Sequence, residues 1–265
     1  MLKLIGGTLV AGTVVGAGTF VNAQRFSVTR HKKTLPQLQE TLKLAQLSDL
    51  HFGRFISEDN VAAWVDATLA ENPDLILMTG DMIDYATRDT APLIRQLQRL
   101  EAPLGVHAVL GNHDYDLGMA FLNSFKQDLS KANVNVLVNR GSSLRDDFFL
   151  AGLDDKWEGQ PDVTKALANR PDEQACLLMS HIPDMLPHIP QSVDLTLCGH
   201  THGGQIKLPL IGAVFTASDY GKRFLEGWMT EPVSAYVSRG LGVSGLPFRY
   251  LSRAELVVME LIPAT

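Results

Sequence analysis

Five short apolar runs in this chain each end abruptly in a knot of carboxylate, amide or imidazole side chains, and that recurrence limits what the chain can fold into. The last run is the most telling. Leu195-Thr196-Leu197-Cys198 is short enough for a buried strand, and Gly199-His200-Thr201-His202-Gly203-Gly204 follows at once. In extended backbone the spacing of His200 and His202 puts both imidazoles on one side. The flanking glycines let the main chain turn sharply and come close to whatever the rings hold. Neutral imidazole is the commonest metal ligand among side chains.

The earlier runs repeat the pattern. Residues 42–47 read as a strand ending at Asp49 and His51, and residues 75–79 as one ending at Gly80, Asp81 and Asp84. Residues 106–110 lead into Gly111-Asn112-His113-Asp114, and residues 177–180 into His181. Helices separate the first four. Ser57 is placed to cap a helix running to about residue 70, with Glu58 and Asp59 suiting its positive end. Further helices are expected over 93–100, 118–131 and 163–168, and further strands over 134–138 and 148–151. The tail (224–228, 235–238 and 255–261) has strand composition without intervening helices. Such a mixture predicts an α/β fold, sheets packed face to face with helices outside. Residues 25–40 read as a polar linker, and 41–265 as the main folded domain.

Composition narrows the function classes. Of the 265 residues 45% are hydrophobic and 20% charged, as in a folded globular chain. A net charge of -6 argues against a sequence-independent nucleic-acid binder, which needs a basic face. A small anionic substrate stays open, because bound metal reverses the local sign. Cys176 and Cys198 lie in apolar runs and read as buried thiols. His31, His107 and His188 fall outside the five knots and read as structural or surface groups.

Residues 4–24 carry no charged side chain, about the length of a membrane-spanning helix. An uncleaved N-terminal anchor over residues 1–24 is the expectation. A cleaved leader ending at Val21-Asn22-Ala23 is the alternative. Arg25, Arg30, Lys32 and Lys33 follow the segment and only Lys3 precedes it, which favours the folded part lying on the cytoplasmic face of the membrane.

Strand ends of α/β sheets are where ligands bind. The converging carboxylates, amide and imidazoles suit Mn, Fe or Zn rather than Ca. They are too many for one ion, whereas two divalent metal ions sharing a carboxylate would use them all. Asp-x-His, Gly-Asp-x-x-Asp, Gly-Asn-His-Asp, a lone His and Gly-His-Thr-His, in that order from Asp49 to His202, resemble the calcineurin-like metallophosphoesterase superfamily. The resemblance implies a four-layer α/β/β/α sandwich. It implies one metal held by Asp49, His51, Asp81 and His202, and a second held by Asp81 as bridge, Asn112, His181 and His200. His113 would stabilise the transition state or protonate the leaving oxygen. Asp84 and Asp114 would stand behind the ligands, Asp114 orienting His113 or capping the next helix. Two divalent ions and two ligand carboxylates leave a site near +2, suited to a phosphate ester.

Substrate hints lie outside the knots. Arg54 follows the first ligand pair, and residues 239–249 form a glycine-punctuated apolar loop bracketed by Arg239 and Arg249. The loop reads either as a packed strand connection or as a lip on which arginine grips phosphate. With the N-terminal segment, this tail is similar to a bacterial membrane-associated branch of the superfamily. That branch includes phosphodiesterases and enzymes resembling UDP-2,3-diacylglucosamine pyrophosphatases of lipid A synthesis. The expected activity is therefore hydrolysis of a phosphodiester or pyrophosphate bond, with a lipid-linked nucleotide and the membrane as partners. The alternatives are a phosphomonoesterase and a non-catalytic scaffold.

Overall fold

The apolar runs become the central strands, because each buries side chains on both of its faces. A computed structural model describes residues 25–264. The first sheet runs in the order β1 (Phe26–Leu35), β14 (Ala254–Pro263), β2 (Leu42–Leu47), β3 (Leu75–Thr79), β4 (Val106–Val109), β5 (Val134–Val136). The second runs β12 (Gly227–Met229), β13 (Ala235–Val237), β9 (Leu195–Cys198), β8 (Ala175–Met179), β7 (Phe148–Gly152), β6 (Arg140–Arg145). Strands β2 to β5 are mutually parallel, as are β7, β8, β9 and β13. Parallel pairing puts the carboxyl ends of each set at one edge.

Three apolar layers hold the sandwich. Alternate residues of β2 and β3 (Leu44, Leu75, Leu77) face Leu150, Leu177 and Leu197 of the second sheet. Their neighbours Ile76 and Met78 face outward against α1 (Glu58–Ala70), α2 (Ala91–Leu97) and α4 (Met119–Lys131), the short α3 (Asn112–Tyr115) preceding α4 in the chain. The outer face of the second sheet, with Phe149, Cys176 and Leu178, is covered thinly by α5 (Val163–Ala166) and a 3-10 turn, Pro183–His188. The expected α/β/β/α layering is thus present, and both cysteines are buried free thiols. Replacing Leu197 by Ala, wholly enclosed between the sheets, should cost about 3 kcal/mol of stability, read as a lowered denaturant midpoint.

Several expectations are corrected. The linker over 25–40 contains β1, paired in parallel with β14 from Phe26↔Ala254 onward. Its charges are those of an edge strand: Arg30 pairs with Glu71, and Lys32 with Glu260 at 2.7 Å. Strand β6 has no apolar alternation. It is held by pairing to β7, where Gly141 lets the Phe149 ring pack against its backbone. The short hairpin β10 (Lys207–Leu208) and β11 (Gly212–Ala213) also lacks a sequence pattern of its own. The apolar helix and anchor expected over residues 1–24 lie outside the described residues. Among the described residues, no helix is long and apolar enough to cross a membrane.

Candidate metal centre

All five knots meet at one edge of the sandwich. The loops after β2, β3 and β4 come from the first sheet, and those after β8 and β9 from the second. Backbone hydrogen bonds lace them together: Asp49 N–H donates to Gly80 O at 3.0 Å, His51 N–H to Asp81 O at 2.9 Å, and Gly199 N–H to His181 O at 3.0 Å. Asp49, His51, Asp81, His200 and His202 all adopt positive φ, between 48° and 72°. Non-glycine residues hold that conformation only where the surroundings impose it, at about 1–3 kcal/mol each. Gly199 is required here: a Cβ would sit 2.0 Å from Ser48 Oγ and 2.4 Å from Asp49 Oδ2.

The donor atoms converge. Asp81 Oδ2 lies 3.4 Å from His51 Nε2 and 3.2 Å from His181 Nε2. His51 Nε2 is 3.0 Å from His202 Nε2, which is 3.6 Å from Asp49 Oδ1. His200 Nδ1 is 3.2 Å from His181 Nε2. Three compact groups result: Asp49, His51 and His202; His51, Asp81 and His113; Asp81, His181 and His200. Asp81 shares both a group with His51 and one with His181, the place of a bridging carboxylate.

The residues fit divalent cations. Of the atoms facing the cluster, Asn112 Oδ1 is buried without a hydrogen-bond partner. Such buried polar atoms are costly unless something pairs with them. Burial lowers His51 and His200 to about 3 and holds His202 well below its ordinary value, so all three rings are neutral and present lone pairs. Two neutral ring nitrogens as close as those of His51 and His202 repel unless a cation or proton lies between them. Burial opposes protonation of His181, but Asp81, Asp49 and Asp155 outweigh it and raise the ring to about 10. A cation must therefore displace that proton. His181 Nδ1 donates to Thr79 O at 2.7 Å, which fixes the tautomer that leaves Nε2 for coordination.

His113 stands at the rim. Burial pulls its pKa down, yet Asp81 and Asp116 outweigh that and raise it above the ordinary imidazole value. Its Nδ1–H donates to Asp116 Oδ2 at 2.6 Å. Of the two roles the sequence leaves open for Asp114, orienting His113 falls to Asp116, while Asp114 caps the short helix Asn112–Tyr115. Asp114 accepts from Met82 N–H and Gly111 N–H, both at 2.9 Å, tying the β3 and β4 loops together. Asp84, also buried, closes its own turn by accepting from Ala86 N–H at 2.8 Å. Asp116→Ala should lower turnover about tenfold with metal content unchanged, measured by steady-state kinetics and metal analysis on one preparation.

The three arginines expected to grip phosphate are engaged elsewhere. Arg249 is wholly buried, its guanidinium donating to Gly242 O and Ser252 O and contacting His202 Nδ1 at 3.0 Å. Arg239 pairs with Glu255 at 2.6 Å, and Arg54 donates to Tyr85 Oη at 2.8 Å. None of them lines the cavity of about 460 Å³ above the ligands. Its floor is Asp81, Asn112, His113 and His200; its walls are apolar, with Trp157, Ile206, Phe215 and Leu246.

Comparison with known proteins agrees with this geometry. The calcineurin-like phosphoesterase family profile matches residues 42–204. An uncharacterized metallophosphoesterase, YkuE of Bacillus subtilis, is 34% identical over 270 residues, 97% of this chain and 93% of that protein. The phosphodiesterase YaeI of Escherichia coli is 29% identical over 274 residues, 98% and 97% of the two chains. A dimetal phosphatase from Danio rerio shares the fold, with TM-score 0.50 and 14% identity over 83% of this chain and 99% of that one. Fold, ligand cage and relatives together define a metal-dependent phosphoester hydrolase. The chain belongs to the calcineurin-like phosphoesterase family.

Proposed function

We propose that the protein is a dinuclear phosphodiesterase or pyrophosphatase whose substrate carries an apolar, lipid-like group. The observation carrying this reading is the Asp81 carboxylate, shared between two ligand groups beneath an apolar cavity that His113 borders. Asp49, His51, Asp81 and His202 would hold one ion; Asp81, Asn112, His181 and His200 the other. Bound there, Mn, Fe or Zn supplies positive charge for the phosphate and lowers the pKa of a water. His113 donates its proton to the departing oxygen, and Asp116 keeps the ring turned towards it. Asp114 holds the Asp81 and Asn112 loops in register.

The absence of lysine and arginine among the cavity-lining residues favours a diester over the more highly charged monoester dianion. Trp157, Ile206, Phe215 and Leu246 offer the substituent an apolar wall. A lipid-linked nucleotide such as UDP-2,3-diacylglucosamine fits this division into charged floor and apolar wall. A charge-free segment over residues 4–24, followed by four cations, supports an anchor in a bacterial inner membrane with the domain on the cytoplasmic face.

The test is a comparison of bis-p-nitrophenyl phosphate with p-nitrophenyl phosphate in Mn, Fe and Zn, then of UMP release from the nucleotide lipid. Faster metal-dependent diester cleavage is expected. Faster monoester cleavage would overturn the diester reading, and absent UMP release would remove the nucleotide lipid.

A further inference from the structure

The hairpin β10–β11 is seated directly on the loop that carries two of the ligands. A Cβ on Gly204 would sit 2.4 Å from the Ala213 Cβ, and Val214 N–H donates to Ile206 O at 3.2 Å. Its tip is apolar and bare: Leu210 is fully exposed, Ile211 63%, Val214 62% and Phe215 74%. Val214 and Phe215 also line the cavity, so one apolar surface runs from the hairpin tip into the site. Contiguous exposed apolar surface of this kind marks a place of contact.

The chain's entry point says what makes that contact. Residues 250–253 run from the hairpin base to the start of β1. Ile206 bridges Tyr250, Arg253 donates to Phe26 O at 3.2 Å, and Phe26 is paired with Ala254. The charge-free residues 4–24 therefore join the described domain at Arg25, beside the hairpin and on the edge bearing the site. Lys222 borders the patch, its Nζ donating to Ile211 O at 2.7 Å, with exposed Arg223 next to it in the chain and exposed Arg253 beside the start of β1.

We propose that the β10–β11 hairpin is a membrane-contacting element that dips Leu210 and Ile211 into the bilayer interface and opens the metal-site cavity towards lipid. Apolar side chains enter the acyl boundary while Lys222, Arg223 and Arg253 meet anionic headgroups. This rests on the lipid-linked reading above for its purpose, but its test does not depend on turnover.

Both native cysteines are buried, so one added cysteine can be labelled selectively. The full chain carrying Leu210→Cys, labelled with an environment-sensitive fluorophore, is reconstituted in phosphatidylethanolamine–phosphatidylglycerol vesicles with and without brominated acyl chains. A label on Ser130→Cys, exposed at the end of α4, serves as the control. The expected result is a blue-shifted emission at position 210 that brominated lipid quenches, with neither effect at position 130. Emission at position 210 as water-like as the control overturns the proposal. So does a blue shift without quenching, which would mean that residues 1–24 cover the patch themselves. Hydrolysis of bis-p-nitrophenyl phosphate by the same preparations is expected to be unchanged in Leu210→Glu/Ile211→Glu; a loss there would show the hairpin to be part of the catalytic fold instead.

Discussion

Asp81→Asn is expected to abolish metal-dependent hydrolysis, with turnover falling at least about a thousandfold while the protein stays folded. The carboxylate stands beside both His51 and His181, at 3.4 and 3.2 Å. Its removal weakens both halves of the cage together. Metal charge stabilisation is worth several kcal/mol, and each 1.36 kcal/mol is about a tenfold change in rate. The amide keeps the shape, so Asp81 Oδ1 can still accept from His113 N–H, 2.9 Å away. Metal content measured on the gel-filtered protein should drop with the rate. Full metal occupancy alongside lost activity would place Asp81 outside coordination.

His113→Gln should separate chemistry from metal binding. The ring's Nδ1 is committed to Asp116 and its Nε2 faces the cavity near Ser244 Oγ, at 3.5 Å. General acid catalysis contributes about a hundredfold or more. Turnover of an alkyl diester should fall by that amount with both metals retained. A nitrophenyl ester, whose leaving group departs without a proton, should lose much less. Equal losses on both substrates would assign His113 to charge stabilisation rather than proton donation.

The donor set was legible because each knot is local: an apolar run, then a turn, then ligands within a few residues. Asp116 was not, although the helix containing His113 makes it so. On a helical turn i and i+3 share a face while i and i+1 do not. The chain adopts that turn over Asn112–Tyr115, so Asp116 reaches the ring and Asp114 points back to the β3 loop. A strand-to-loop reading of the Asn-His-Asp knot hides this. Arg249 misled for the opposite reason. Arginine is rarely buried, yet here the carbonyls of the 239–252 loop replace its water, and burial lowers its pKa only to about 10. Strand β1 was obscured by its own basic residues, which an edge position tolerates because one flank faces solvent.

By itself the amino-acid order determined the strand-and-helix alternation, the ligand types and their place at strand ends, since these depend on side-chain period and on chemistry within a few residues. Only the tertiary structure decided that Asp81 stands between two imidazole groups, that Arg239 and Arg249 bond their own surroundings while Arg54 bonds Tyr85, and that an apolar hairpin borders the site. Those facts depend on contacts between residues distant in the chain, such as His202 with His51 and Arg249. No local pattern encodes them, because packing two sheets face to face is what brings those loops within bonding distance.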